Sequence, residues 1–270
     1  MSGSVQSQAA PVRIDLDGSG VLQVTLARPE KRNALTWEIF ELLDEAFGGR
    51  AHQPDVRAVV LRGEGKGFCA GLDLGILSRI GGDADDTRGG GAAIQAVLDR
   101  MEACPRPTLA VVHGACIGGG VALMLACDLR VASEDAGFAI REMRYAFLPD
   151  LGHLHRLQRE VGPSRAKEAV FFGEELSAAT LQRWGVLNEV VPPGDLDDCA
   201  RRWQQRCAAA APLAVAAAKE LMLRDPAGID AAASQRGALE ANTSRLLRSA
   251  DFREGLDALM ERRAPRFRGE

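Results

Sequence analysis

The chain opens with two short apolar runs, VRIDL and VLQVTL, on either side of Asp17-Gly18-Ser19-Gly20. Residues that tolerate positive φ fill the gap, so the pattern predicts two strands around a turn. After Thr36 the period changes. TWEIFELLDEAFGG repeats apolar residues at helical spacing, with Thr36 as N-cap and Gly48 as stop. VRAVVLRGEG then reads as a buried strand, and a short helix is expected from about Leu72 to Ile80. GGDADDTRGGG, residues 81–91, has too little apolar content to pack and is expected to form a mobile loop, of the kind that acts as a lid.

A helix is expected from Ala92 to Cys104. The run from Thr108 to Cys127, TLAVVHGACIGGGVALMLAC, carries no formal charge and is about long enough to cross a bilayer. Its first half is β-branched and a glycine triplet breaks its middle, so it reads instead as buried strand, turn and buried helix. CDLRVAS and AGFAI follow as two more strands. Beyond about Asp195 the pattern is helical, with RCAAAAPLAVAAAKELMLR broken at Pro212. The expected organisation is a disordered tail over residues 1–11, a β-containing core over 12–195 and a helical region over 196–270.

Length and composition set outer limits. With 270 residues and 46% apolar content the chain buries a sizeable core. A formal net charge of −4 gives no bulk attraction for a polyanion, so nucleic acid is not an expected partner. The six cysteines form no C-x-x-C pair and are read as reduced thiols. MSGSVQSQAAPV has neither a basic n-region nor an apolar h-region, so the expected compartment is the cytoplasm and no membrane partner is expected.

Chemistry enters with GKGFCAGLDL, residues 65–74, and HGACIGGGVAL, residues 113–123. Each places small residues just before a helix start, where backbone N–H groups lack intrahelical partners and the dipole favours negative charge. Two such groups aimed at one point make an oxyanion hole. Other readings fit less well. A phosphate loop needs Lys followed by Ser or Thr at its end, and Lys66 stands mid-loop. Cys69 has no general base beside it in sequence and reads as a space-filler rather than a nucleophile. An EF-hand starting at Asp15 would need a bidentate Glu where Leu26 stands. The four histidines do not cluster with carboxylates at ligand spacing, so no metal is expected. The triplet Gly118–Gly120 could also serve close helix packing alone.

These motifs, with LARPEKRNAL, FAIREMRYAFLPDLG, WGVLNEVVP and SADFREGLDALMERRAPRFRG, run through nearly the whole chain in a family-like order. Together they resemble the crotonase, or enoyl-CoA hydratase/isomerase, family. The resemblance implies an α/β fold built as a spiral of ββα units with a helical C-terminal trimerisation region, and a homotrimer or a hexamer made of two trimers. It implies an acyl-CoA thioester as substrate, no separate cofactor, and an oxyanion hole formed by the backbone N–H groups of Leu72 and Gly119. It also implies that Arg28, Lys31, Asn33, Ala34, Ala70, Asp73, Leu74 and Gly118 line the CoA and substrate path, with Lys31 or Arg28 meeting phosphate. A solvated basic turn is the other reading of those charges.

Family hydratases use two glutamates; here the first position is Ala122 and the second is Glu142. Asp150 stands where family hydratases carry glycine and dienoyl-CoA isomerases carry aspartate. The resemblance therefore favours double-bond isomerisation with Glu142 and Asp150 moving the proton, ahead of hydration of a 2-enoyl-CoA. A non-catalytic acyl-CoA- or RNA-binding relative is the alternative of another class. Two ordinary readings compete for the acids: a surface ion pair of Glu142 with Arg141 or Arg144, and a helix N-cap for Asp150. His153 and His155 replace smaller or uncharged residues, and either approach the acyl pocket or sit in a solvated first turn. An aryl-CoA dehalogenase would need a His after AGLDL, and none occurs between Leu72 and Pro107.

Overall fold

The computed structural model describes residues 10–76, 90–145, 148–149, 151–223, 241–243, 245–261 and 263–270. Asp150, nearly all of the 81–91 loop and the second half of the helix expected at 72–80 lie outside the described residues.

Among the described residues, one sheet has six strands in the order β1 (Val12–Leu16), β2 (Val21–Leu26), β3 (Ala58–Gly63), β4 (Thr108–Val112), β6 (Leu129–Ser133), β9 (Glu189–Val191). β1 and β2 form an antiparallel hairpin, and every later pairing is parallel. Asp17 closes the hairpin by accepting from the Ser19 and Val21 N–H groups at 2.8 and 3.1 Å. That bonding commits the carboxylate to the turn. A second, three-stranded sheet holds β5 (Ala115–Ile117), β7 (Gly137–Ala139) and β8 (Leu176–Ser177).

The large sheet is buried on both faces, which is why its strands read as unbroken apolar runs. Val59, Leu61, Ala110 and Val112 face the main core. Their neighbours Ala58, Val60, Leu109 and Val111 pack with Leu196, Cys199, Ala200 and Cys207 in a second cluster. The latter four belong to the helix Leu196–Ala209, which therefore covers the outer face of the sheet.

The first helix, α1, spans Trp37–Asp44, and the Thr36 hydroxyl accepts from Ile39 N–H at 3.4 Å as its cap. It does not run as an α-helix to Gly48. Residues Glu45–Gly49 widen into a π-turn and Arg50–His52 tighten into a 3₁₀ turn, with Ala46, Phe47 and Ala51 fully buried along the way. Two adjacent glycines, Gly48 and Gly49, favour the departure from regular geometry. Further helices among the described residues are α2 (Gly90–Glu102), α3 (Gly119–Leu125), α4 (His153–Phe172), α5 (Ala178–Arg183), α6 (Leu196–Ala209), α7 (Pro212–Leu223) and α8 (Ala250–Glu261). α4 breaks where Gly162 adopts φ 76° ahead of Pro163. Among the described residues, no helix is long and apolar enough to cross a membrane.

Candidate active site

Three successive turns of the chain end alike. A strand of the large sheet leads to a short segment of the second sheet, and that segment runs into a helical start. β3 leads through Cys69 to Leu72, β4 and β5 lead to Gly119, and β6 and β7 lead to the 3₁₀ turn that opens at Glu142. Cys69 bridges Cys116 in parallel, and Cys116 pairs with Phe138 in parallel. Leu72 and Gly119 each stand three residues past their cysteine, and Glu142 stands four past Phe138. The register of the small sheet thus brings all three junctions to one place.

Main-chain bonds hold that register. Cys69 N–H donates to Ala115 O at 3.0 Å, Ile117 N–H to Cys69 O at 2.9 Å, and Gly118 N–H to Ala139 O at 2.8 Å. On the other side of the loop, Leu35 N–H donates to Gly71 O and Asp73 N–H to Leu35 O, both at 2.8 Å. The intervening Leu72 N–H has no acceptor among the described residues, and neither has the Gly119 N–H. A Cβ placed on Gly119 would stand 3.6 Å from the Leu72 nitrogen, so the two free donors are close neighbours. The close-packing reading of the triplet is realised as well: a Cβ on Gly120 would meet Cys69 O at 2.7 Å.

Glu142 lies against Gly118, the residue before Gly119. Its side chain is 17% exposed, and Oε2 is buried without a hydrogen-bond partner among the described residues. Neither neighbouring arginine pairs with it. Arg141 binds Glu175 at 3.3 Å and Arg144 donates to Phe172 O at 3.0 Å. Gly118 adjoins the Gly119 N–H, with φ 51° and a virtual Cβ only 2.7 Å from Glu142 Oε1. A side chain there would be strained and would collide with the carboxylate. Ala122, in the first turn of α3, is fully buried. No second carboxylate comes from that turn.

The two histidines part company. His153 is fully buried at the start of α4, and its Nε2 lies 2.8 Å from Gly118 O. Glu142 Oε1 is 3.8 Å from the same nitrogen, beyond hydrogen-bond range, so the carbonyl is the partner. His155 is exposed, and partial burial beside Arg156 lowers its pKa. Helical spacing carried this signal in the sequence, because His153, Arg156 and Leu157 share one face of α4 and all three are buried. Arg156 is buried too, paired with Asp99 at 2.6 Å and Glu102 at 2.8 Å.

The structure corrects one expectation. Asp99, Glu102 and His155 do gather, with ligand atoms within 4.8 Å of one another, although sequence spacing gave no such cluster. Its carboxylates are bound by Arg156 and Arg159, which supply the positive charge. Asn33 is fully buried at φ 56°, its amide donates to the carbonyls of Glu64, Gly67 and Phe68, and its Oδ1 accepts from Arg28 N–H. Its side chain shapes the loop from behind.

The other residues of the expected CoA path stand nearer solvent. Arg28, Lys31, Thr36, Trp37, Asp73 and Ile76 line part of a cleft of about 690 Å³. Arg28 is committed within it, donating to Ala34 O at 2.7 Å and pairing with Asp73 at 3.3 Å. The Gly75 N–H, aided by Arg28, holds the Asp73 carboxyl below the usual carboxylate range. Lys31 is exposed, Ala34 and Ala70 are half-buried, and Leu74 is 80% exposed. Hollows of about 680 and 740 Å³ elsewhere contain none of these residues, so volume alone does not mark the site.

The surroundings of Cys69 disfavour a nucleophile. Burial pushes its thiol up to about 12, and its Sγ lies 3.2 Å from Asn33 O. The reactive thiolate is therefore absent near neutral pH.

A two-sheet spiral whose turns end on a pair of unpartnered N–H groups and a bare carboxylate is the crotonase fold. The chain belongs to the enoyl-CoA hydratase/isomerase family, whose model matches residues 17–270, and it is an enzyme of that family. It is 35% identical over 263 residues to the mitochondrial Delta(3,5)-Delta(2,4)-dienoyl-CoA isomerase of Dictyostelium discoideum, covering 93% of this chain and 89% of that protein. It is 34% identical over 265 residues to the peroxisomal enzyme of the same name from Arabidopsis thaliana, covering 92% and 93%. The crystal structure of an enoyl-CoA hydratase from Bacillus anthracis superposes with a TM-score of 0.86 at 30% identity, covering 96% of this chain and all of that one.

Proposed function

We propose that this protein moves a carbon–carbon double bond within an acyl-CoA thioester, with a 3,5-dienoyl-CoA as the preferred substrate class. The thioester oxygen accepts from the Leu72 and Gly119 N–H groups, which stabilise the negative charge that develops when the α-carbon loses a proton. Glu142 and Asp150 form the acid/base pair: one takes the α-proton and the other returns a proton at the far end of the conjugated system. Atoms balance without water, and no cofactor is needed beyond the CoA that the substrate carries. The observation that carries the reading is the unpartnered carboxylate oxygen of Glu142 near the two free donors, with Ala122 where a hydratase would hold the first of its two glutamates. The two relatives named dienoyl-CoA isomerase support it.

In this reading Lys31, at the rim of the cleft, meets a CoA phosphate, while Asp73 and Arg28 brace the loop that carries Leu72. Assembly as a trimer, or as two trimers, is supported by apolar side chains left exposed in the helical region, among them Met222, Leu259 and Met260. Six free, buried thiols fit a reducing compartment such as the cytoplasm.

The test is to offer purified protein 2-enoyl-, 3-enoyl- and 3,5-dienoyl-CoA esters and follow products by chromatography, with a parallel run in ²H₂O. Rapid conversion of the dienoyl ester, with slow water addition to the 2-enoyl ester, is expected. Fast hydration would return the protein to the hydratases. Binding of all three esters without turnover would favour a non-catalytic acyl-CoA carrier.

A further inference from the structure

We propose that His153 is a positioning residue for the oxyanion hole: its Nε2–H clamps the Gly118 carbonyl and so aims and polarises the Gly119 N–H. This rests on the reading of Leu72 and Gly119 as the hole.

The peptide unit between Gly118 and Gly119 is planar and trans, so its C=O and N–H point in opposite directions. Whatever fixes Gly118 O fixes the Gly119 N–H. Neither flanking residue has a Cβ to restrict rotation, and Gly118 holds φ 51° and ψ −116°, away from any regular structure. A peptide so placed is held by the hydrogen bonds its carbonyl accepts. Gly118 O accepts from Val121 N–H at 2.8 Å and Ala122 N–H at 3.1 Å, both within the following helical turn. The third donor is His153 Nε2 at 2.8 Å, brought by a separate element 35 residues away. It ties α4 to the start of α3 across the site.

Contacts set the tautomer. A deprotonated Nε2 would place its lone pair against the carbonyl lone pairs at 2.8 Å, so the proton sits on Nε2. Nδ1 is then left as a buried acceptor, and no donor reaches it among the described residues. An apolar side chain of similar size would fill this volume without an unsatisfied polar atom, so space-filling does not account for the imidazole. What it supplies is the bond at Nε2. A donor on an amide oxygen also makes the N–H of the same amide a better donor, because hydrogen bonds in a chain polarise one another. Glu142 is not part of the clamp. At 3.8 Å from Nε2 it stays bare and available to substrate.

The test compares three variants by kcat, KM and the thioester carbonyl stretch of a bound, unreactive acyl-CoA in difference infrared spectra. His153→Leu removes the donor, and His153→Asn has an amide too short to reach Gly118. His153→Gln carries an N–H about where Nε2 stands. For Leu and Asn, kcat is expected to fall by about 10–100-fold, below the full cost of losing a hole donor. KM should stay within about threefold, and the carbonyl's shift to lower frequency on binding should shrink. His153→Gln is expected to restore both. Should His153→Leu fail to fold, the contrast between Gln and Asn decides. Full activity and an undiminished carbonyl shift in Leu or Asn would overturn the proposal, as would equal losses in Gln and Asn. A wild-type protein that binds the ester with no carbonyl shift would overturn the hole itself, and the clamp with it.

Discussion

Glu142 Oε1 occupies the space that a side chain on Gly118 would need, 2.7 Å from the position of its missing Cβ. The proposed base and the proposed hole are thus separated by one hydrogen-bonded glycine. Gly118→Ala should push the carboxylate aside and strain a backbone at φ 51°. Turnover is expected to drop by about 100-fold or more, the scale of a damaged hole, and stability by about 1–3 kcal/mol, the scale of such strain. Rate assays beside denaturant melts would separate the two. An alanine variant with normal turnover would show the contact to be slack.

Glu142→Gln removes the base and keeps its shape. It should lower kcat by about 10²–10⁴ with melting and acyl-CoA affinity unchanged. Calorimetric titration with an unreactive acyl-CoA gives the affinity, and a rate equal to wild type would take Glu142 out of the chemistry.

Lys31 is exposed at the cleft, whereas Arg28 is occupied by Ala34 O and Asp73. Lys31→Ala should raise KM by about 3–10-fold, as expected for one exposed charge–phosphate contact, and leave kcat alone. The difference should shrink as salt is added. A salt-independent defect, or one in kcat, would count against a phosphate contact.

Cys69 lies at the loop's centre with its thiol pushed up to about 12 by burial. Cys69→Ala should retain turnover within about twofold, since no chemistry is assigned to the sulfur, and lose about 1 kcal/mol from the small cavity it leaves. Iodoacetamide at neutral pH should leave the native enzyme active. Inactivation that Cys69→Ala abolishes would restore the nucleophile reading.

Asn33→Ala removes an amide that serves three carbonyls and an acceptor that serves Arg28 N–H. The buried carbonyls lose their donor and the left-handed backbone loses a residue type that tolerates it, so about 2–4 kcal/mol of stability is expected to go. Chemical denaturation measures this directly. A loss confined to KM, with stability intact, would put Asn33 on the ligand path.

The sequence made strands and glycine junctions readable because each is local. A strand buried on both faces is an apolar run, and Gly118 and Gly71 sit where φ is positive. Leu72 and Gly119 were legible only through family resemblance, since proximity between their N–H groups depends on the Cys69–Cys116–Phe138 register, which no local pattern encodes. The burial of Asn33 was hidden because a polar residue in a basic turn gives no sign of being fully buried. The partner of His153 was hidden for a related reason. Its contact is a backbone oxygen, and a carbonyl leaves no trace in residue identity.

Because two of the three converging junctions contribute main chain and the third contributes a side chain, the spiral divides its labour between backbone geometry and side-chain chemistry. On the proposed reading, substitutions at the third junction, or at Ala122, are expected to alter which proton moves and whether water joins the reaction, while leaving the main-chain donors of Leu72 and Gly119 in place. Acid and base can then be exchanged on one turn of the spiral without rebuilding the main chain of the other two.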